Sequence, residues 1–422
     1  MSVQERATNG LKLLMGGVEP FSQVQAAWRF YNNKNVTIQG LFDPILEDLE
    51  KEVEKHCGSY VLMMSDWSHL DYKHHHAKKE LTTKNKRENT KQIGYDLQTT
   101  LAVSDISGVP ISPVVHNLKT DENIYSTYSD NIDSKLTHLE ELAQRATWIK
   151  KRLSTDKKIV HIVDRESDSV AFMRELHKEG HCFVLRVKNN SKLYYPEEKI
   201  DIKQGELARK LPLGKEVQRI KYKKENVKIY VNECDVEVQR NANKFVYDSE
   251  GKKKLEKTSG DSIKARFVVE RLVNDEGNVI AQWLLITNIM DKEVKTQTLA
   301  TWYYYRWKIE SYFKLLKSSG FNLEQWQQEE PRALFKRLLV VSYACVLVWK
   351  IANDSSENAN KIRKFLVQLS GKLIEKGTDF THPALLTGLW SYLQIMDVID
   401  LFTREELLDI KKELVQIMGF DI

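Results

Sequence analysis

The chain has 422 residues, 41% of them hydrophobic and 29% charged, which is enough for two or three packed units and excludes a disordered chain, a collagen-like repeat and a disulfide miniprotein. Its 64 Lys and Arg residues outnumber its 59 Asp and Glu residues so slightly that the net charge of +5 does not by itself indicate a polyanionic partner. Four scattered cysteines without a Cys-x-x-Cys motif argue against disulfides and against a zinc knuckle.

The N-terminal part of the chain has the order of elements of a known core type. Apolar residues at helical spacing predict helices over residues 21–31 and 41–53. The later elements are predicted in the order strand 60–64, strand 99–103, strand 109–115, helix 136–153, strand 159–163, helix 169–178 and strand 182–187. This order predicts a ribonuclease H-like core, an α/β fold in which a mixed sheet is flanked by helices.

The pattern of apolar residues changes twice in the rest of the chain. Alternating residues and glycine turns predict an inserted β-rich domain over residues 189–288, and helical spacing returns from residue 298 onward. The apolar stretch 338–349 is shorter than the ~20 residues of a membrane-spanning helix. Because the first residues carry no secretion signal, we expect a cytoplasmic protein with no membrane contact.

Four regions are therefore expected. They are a helical N-terminal region (1–56), a ribonuclease H-like core (57–188 and 289–350), a β-rich insertion (189–288) and a helical C-terminal region (351–422).

Two segments of the chain are locally basic. Residues 73–91 contain seven Lys or Arg residues and two acidic residues, and residues 203–257 contain fifteen against nine. Such segments attract phosphate backbones, although each is also compatible with a solvated protein face. The distribution of charge thus favours a nucleic-acid partner more than the total does.

Two aspartates follow short apolar strands. Asp66 and Asp164 each end a run of strand length, where a carboxylate projects from the sheet while its backbone stays anchored. Divalent magnesium and manganese prefer such hard oxygen ligands, and paired ions can assist phosphoryl transfer. The alternative is an ordinary turn residue or helix N-cap, and a metal site needs a third acidic residue.

The third acidic residue comes from a spaced motif. If residues 303–317 form one helix, Tyr303, Arg306, Glu310 and Lys317 lie on a stripe roughly 60° wide. A carboxylate could ligate a metal there, while the phenol, guanidinium and ammonium groups could grip phosphate oxygens. The alternative is a solvated helix face on which Arg306 and Glu310 form an ordinary i,i+4 pair.

These residues resemble a known enzyme family. Tyr303, Arg306, Glu310 and Lys317 have the spacing of the Tyr-Arg-Glu-Lys (YREK) signature of the DDE transposases of bacterial insertion sequences, a group that includes the hairpin-forming cut-and-paste enzymes of composite transposons. The segment 163–168 resembles the second-aspartate motif of that family, and Asp66 lies where its first aspartate is expected. The resemblance covers roughly residues 21–331.

The resemblance implies roles for the residues that match. Asp66, Asp164 and Glu310 would be the catalytic residues and the ligands of Mg²⁺ or Mn²⁺, with two ions per site. The DNA-binding residues would be Tyr303, Arg306, Lys317, Arg186, Lys188 and Trp283, the last engaging a base that leaves the stack. Without the resemblance, Trp283 is expected to be a core residue.

The sequence also departs from the family pattern. Trp67 and Ser68 follow the first aspartate in place of small hydroxyl residues, and the matched part begins near the N-terminus without the usual longer helical DNA-binding region. Recognition of the element ends would then fall to a reduced helical region together with the basic β insertion, or the chain would be incomplete for transposition.

Other clusters are weaker candidates for a site. His177, His181 and Cys182 lack an upstream acidic residue and a fourth ligand for zinc, and residues 74–76 form a histidine triplet in the first basic segment.

The resulting hypothesis is a DNA transposase that hydrolyses phosphodiesters at transposon ends and transfers the freed 3′-hydroxyl into target DNA. Double-stranded DNA is the expected partner, so the protein is expected to be nucleoid-associated, and the helical N-terminal region 1–56 is expected to contact DNA. A homodimer is expected in the DNA complex because two ends must be paired, and the helical C-terminal region 351–422 is the candidate for dimerisation. Two alternatives remain open: a ribonuclease H-like nuclease that cuts without joining, and a catalytically silent DNA-binding regulator of transposition.

Overall fold

The computed structural model describes residues 20–85, 91–133, 136–222, 225–247 and 253–418. The predictions for residues 1–19 of the N-terminal region, for residues 86–90 of the first basic segment, and for residues 223–224 and 248–252 of the second lie outside these ranges. Two compact units make up the chain. The first, here called the sheet unit, is Asp43–His69 with Asp96–Ser311, and the second, the helical unit, is Met1–Phe42 with Leu70–Tyr95 and Tyr312–Ile422.

The strands, in chain order, are β1 (Tyr60–Asp71), β2 (Thr82–Asn85), β3 (Lys91–Ser104), β4 (Pro110–Lys119), β5 (Ile124–Ser126), β6 (Lys158–Val163), β7 (Cys182–Arg186), β8 (Lys192–Tyr195), β9 (Ile200–Lys203), β10 (Lys215–Tyr222), β11 (Glu225–Val238), β12 (Ala242–Tyr247), β13 (Lys253–Thr258), β14 (Ile263–Asn274) and β15 (Val279–Thr287).

The helices are α1 (Pro20–Asn32), α2 (Ile38–His56), α3 (His138–Arg152), α4 (Val170–Lys178), α5 (Gln204–Lys210), α6 (Thr296–Tyr304), α7 (Trp307–Lys314), α8 (Pro331–Asn353), α9 (Glu357–Ser370), α10 (His382–Leu401) and α11 (Arg404–Met418). Shorter turns of 3₁₀-helix lie at Arg165–Ser167 and Leu323–Gln325, and a π-helical turn lies at Leu315–Ser319.

The predicted α/β fold class is confirmed by a large mixed sheet flanked by helices. Its strand order begins β5-β4-β3-β1-β6-β7, with β1, β6 and β7 parallel and β3 antiparallel to β4. This is the arrangement that the order of elements in the sequence predicts for a ribonuclease H-like core. The short strands β2 and β5 were not predicted, because three or four residues are too few to show a period.

Buried apolar side chains explain why the centre of the sheet forms where it does. The first six residues of β1 and the last four of β6 are all buried, as expected for parallel strands covered on both faces. On one face lies α3, whose start is fixed by a capping box: the Thr137 side chain accepts from the Glu140 N–H and the Glu140 side chain accepts from the Thr137 N–H.

The β-rich segment continues the same sheet. After β7 the order runs β15-β14-β11-β8-β9, with β10 pairing with β11, while β12 and β13 form a separate two-stranded sheet. Apolar side chains of β7, β11, β14 and β15 share one buried cluster with those of α3 and α4. The segment therefore has the predicted β texture and shares its packing with the core strands.

The helical unit contains α8 to α11, in agreement with the helical periodicity after residue 298. The helix α9 crosses α10 so closely that a Cβ on Gly388 would lie 1.9 Å from the Leu366 carbonyl oxygen, which explains the glycine there. In α11 no described residue is buried. Among the described residues no single helix is long and apolar enough to cross a membrane; His382–Leu401 and Arg404–Met418 meet length and composition criteria only as a pair, which is bent by 106°.

Candidate active site

The sheet places Asp66 and Asp164 beside each other. The parallel pairing of β1 with β6 ends at Ser65 opposite Val163, and each aspartate is the next residue along its strand. The carboxyl ends of parallel strands share one edge of a sheet, so both side chains leave the sheet at that edge. The strand β1 runs on to Asp71, further than predicted, but its continuous burial stops at Asp66.

The third carboxylate reaches this edge through one arginine. The Arg306 Nη1 atom lies 2.8 Å from Asp66 Oδ2 and its Nη2 atom lies 3.9 Å from Asp164 Oδ2, and Nη2 also donates to Glu310 Oε1. Three acidic side chains from separate parts of the sequence thus surround one guanidinium group. The Arg306 side chain is only 7% exposed, so its charge is balanced by these carboxylates rather than by water.

Two further side chains hold Asp164. The Tyr303 hydroxyl donates to Asp164 Oδ1 at 3.0 Å, and Arg186 Nη1 donates to the same atom at 3.2 Å. Because Arg186 is the last residue of β7, a neighbour of β6, the sheet itself sets this contact. Asp164 therefore lies between two cations and a phenol.

The segment that carries the spaced motif is not one helix, which corrects the sequence interpretation. The helix α6 ends at Tyr304 and α7 begins at Trp307, with Tyr305 and Arg306 forming the turn between them. The Tyr305 ring packs on Gly108, whose φ is +66° and whose added Cβ would come within 2.4 Å of that ring. The break turns the buried Arg306 guanidinium toward both aspartates.

Burial and neighbouring charges act in opposite directions on the two aspartates. Burial raises the pKa of Asp66 to about 6, even though the Arg306 charge and the Trp67 N–H favour its ionised form. Burial acts the same way on Asp164, but the Arg165 N–H, Arg306 and Arg186 outweigh it, so its pKa lies below the ordinary value. Together they make Asp164 the more acidic of the two carboxyl groups.

The donor set fits a divalent metal by its chemistry. Three carboxylates converge on a point that a cationic group fills, and hard divalent ions prefer oxygen ligands of this kind. As they stand, no three His, Cys, Asp or Glu side chains of the described residues are grouped tightly enough to hold a metal ion. An ion at this point would have to replace Arg306.

The remaining predicted DNA-binding residues are more dispersed. Lys188 is exposed just beyond β7, and Trp283 on β15 is half-buried against an apolar cluster, with its ring 6.3 Å from that of Tyr222. Lys317 belongs to the helical unit, where its ammonium group pairs with Glu324 at 2.9 Å. The structure thus brings Tyr303, Arg306 and Arg186 to the carboxylates.

Three residues beside the site were not predicted to have a role in it. The Trp67 indole donates to Glu166 Oε2 at 2.8 Å, and His138 Nε2 lies 3.2 Å from Glu166 Oε1. Glu166 follows Asp164 by two residues, and Trp67 follows Asp66 directly. That adjacency was the available signal, whereas His138 lies far away in the sequence and could not have been found from it.

A groove between α3 and α4 offers a less suitable site for DNA. It has a volume of about 990 Å³, and Glu140, Glu166, Glu175 and Glu179 line it together with Lys151. Such an excess of carboxylates repels phosphodiesters. The carboxylate–arginine centre, where Arg306 and Arg186 accompany the carboxylates, is therefore the better candidate for chemistry on DNA.

Comparison with known proteins identifies the family of this chain. The family model described as transposase DDE domain matches residues 58–349, which include all three carboxylates. The chain belongs to the transposase DDE domain family. The YREK-signature subgroup within this transposase family stays a prediction.

A solved structure of the piggyBac transposase in a synaptic complex with hairpin DNA is similar at a TM-score of 0.37, with 11% identity over 97% of this chain and 71% of that chain. A TM-score below 0.5 does not establish a shared fold, so the family membership of this transposase domain rests on the family model. A search of curated protein sequences finds no match.

Proposed function

We propose that this transposase domain cleaves phosphodiesters at the ends of a transposable element and joins the freed 3′-hydroxyl to target DNA. The observation that carries the proposal is the convergence of Asp66, Asp164 and Glu310 on a single cationic group at one edge of the sheet. Family membership supplies the substrate class, and the geometry supplies the candidate residues.

Asp66, Asp164 and Glu310 would hold Mg²⁺ or Mn²⁺, with two ions per site. When bound, such ions activate the attacking oxygen and stabilise the leaving oxygen of a phosphodiester. The Arg306 guanidinium would then leave the carboxylates for the phosphate, since planar guanidinium groups bind phosphate oxygens in pairs. This step requires no protein side chain as a general base, because the ions activate the attacking oxygen.

Neighbouring side chains would position the DNA strand. Tyr303 and Arg186 lie against Asp164, where a scissile phosphate would meet them. Lys188 and Lys317 would each bind a DNA phosphate, and Trp283 would hold a base that leaves the stack. Removing a base from the stack costs a few kcal/mol, which an aromatic surface can offset.

The partners follow from the reaction. Pairing two element ends calls for two copies of the chain, and the half-exposed apolar residues of α10 are the candidate contact, including Leu393, Ile395 and Ile399. We place the enzyme on chromosomal DNA in the cytoplasm. Its DNA affinity is expected to fall steeply with salt, because phosphate contacts release counterions.

We expect inverted repeats to flank the gene, and the test is a strand-transfer assay on DNA that carries them, with Mg²⁺ and a target plasmid. We expect cleavage at the repeat ends and covalent joining to the plasmid. Cleavage without joining would favour a ribonuclease H-like nuclease, and specific binding without cleavage would favour a DNA-binding regulator; either result would overturn the proposal.

A further inference from the structure

We propose that Trp67, Glu166 and His138 form a hydrogen-bonded bridge that positions the Asp66 strand relative to the Asp164 turn. The inference rests on the proposed function, because it assigns positioning residues to the same site. It concerns side chains that neither ligate the metal nor touch DNA in that proposal.

At one end of the bridge, a buried polar network fixes the orientation of the Gln98 side-chain amide. The Gln98 side-chain oxygen accepts from Asn117 Nδ2 and from Arg145 Nη2, each at 3.3 Å. Arg145 can only donate, so this contact requires the oxygen of Gln98 and leaves the amide nitrogen on the other side. That nitrogen lies 3.0 Å from His138 Nδ1.

The amide in turn fixes the tautomer of His138. An amide N–H can only donate, so His138 Nδ1 accepts and the ring proton sits on Nε2. His138 Nε2 lies 3.2 Å from Glu166 Oε1. The other oxygen of Glu166 accepts from the Trp67 indole at 2.8 Å, and the Trp67 backbone N–H donates to Asp66 Oδ1 at 2.8 Å.

Both oxygens of Glu166 are thus occupied by donors from two different elements. Glu166 lies in the turn of 3₁₀-helix that follows Asp164, Trp67 lies on β1 next to Asp66, and His138 begins α3. A carboxylate held in this way is a cross-link between the segments that carry the two aspartates. Glu166 is a fourth acidic side chain at the site, and these two contacts would keep its carboxylate from ligating the metal.

The first test measures metal binding without DNA. Mn²⁺ binding to the purified chain is followed by electron paramagnetic resonance for Trp67→Phe, Glu166→Gln and Glu166→Ala. We expect the dissociation constant for Mn²⁺ to rise about tenfold in Trp67→Phe and in Glu166→Ala, and less in Glu166→Gln, which keeps one acceptor oxygen. The double variant Trp67→Phe/Glu166→Ala should bind Mn²⁺ no more weakly than Glu166→Ala alone, since both changes remove the same hydrogen bond.

The second test separates positioning from folding and from DNA binding. In cleavage assays kcat should fall in the same order while KM for DNA stays unchanged and each variant still unfolds cooperatively. Trp148→Phe and Glu175→Gln are matched controls, because each changes the same residue type in the sheet unit outside the bridge. Nitrogen-15 NMR of the His138 ring should report the neutral Nε2–H tautomer in the wild type.

Unchanged Mn²⁺ affinity in Trp67→Phe and Glu166→Ala would overturn the proposal, and so would additive losses in the double variant or a His138 ring protonated on Nδ1. These binding and NMR readouts need no cleavage. The bridge proposal can therefore be rejected while the transposase proposal is retained. Conversely, a wild-type protein that does not cleave DNA would reject the proposed function, and Mn²⁺ binding would still test the bridge.

Discussion

Replacing Arg306 by Gln should strengthen metal binding to the free protein while weakening DNA cleavage. In the wild type the guanidinium fills the point between the three carboxylates, so an ion has to displace it. The carboxylate partners are 19–37% exposed, which limits each ion pair to about 1 kcal/mol. Three such contacts are worth about 3 kcal/mol, or roughly a 100-fold change in a dissociation constant.

The assay is a Mn²⁺ titration of DNA-free protein, together with melting temperatures with and without the ion. Arg306→Gln should melt below the wild type without metal, because three partly buried carboxylates lose their common cation, and Mn²⁺ should restore the difference. Lys314→Gln, an exposed change on α7, is the control. Equal or weaker Mn²⁺ binding by Arg306→Gln would refute the idea that the guanidinium occupies the metal position.

Three further predictions concern the scaffold. Burial lowers the pKa of His161 from 6.5 to about 3, so the unfolded chain binds the proton at a higher pH than the folded chain does. The free energy of unfolding therefore decreases as pH falls from 6.5 toward 3. His161→Asn should remove about 2 kcal/mol of that loss at pH 5, measured by urea unfolding. Glu141→Ala, which strands the buried Arg145, should cost about 3–5 kcal/mol, whereas the apolar pair Glu141→Leu/Arg145→Met should cost clearly less in the same assay. Gly108→Ala should lower the melting temperature and slow cleavage, because its Cβ meets the Tyr305 ring; wild-type values would contradict that packing argument.

Much of the fold follows from sequence patterns, because its central elements are long and strongly periodic. The apolar runs that end near Asp66 and Asp164 mark two neighbouring parallel strands, so adjacency of these residues at one sheet edge could be anticipated. The buried faces of α3 and α4 could also be predicted from the sequence, since capping residues and apolar spacing agree there.

The details of the site could not be read in the same way. A helical wheel assumes a continuous helix. The residues around Tyr305 and Arg306 contain no helix-breaking signal that predicts the turn, which a contact with the distant Gly108 stabilises. The wheel therefore placed Arg306 on an open stripe facing phosphate, whereas the fold buries it among carboxylates. The bridge through His138 depends on an amide orientation set by Arg145 and Asn117, which only three-dimensional contacts can specify.

The central claim, that Asp66, Asp164 and Glu310 jointly hold the ions that cut DNA, is tested most directly by counting bound Mn²⁺ in the complex with inverted-repeat DNA. The account predicts two ions per site in the wild type, and loss of ions together with cleavage in Asp66→Asn, Asp164→Asn and Glu310→Gln, with DNA affinity retained. A full complement of ions and wild-type cleavage in any one of these three variants would contradict it.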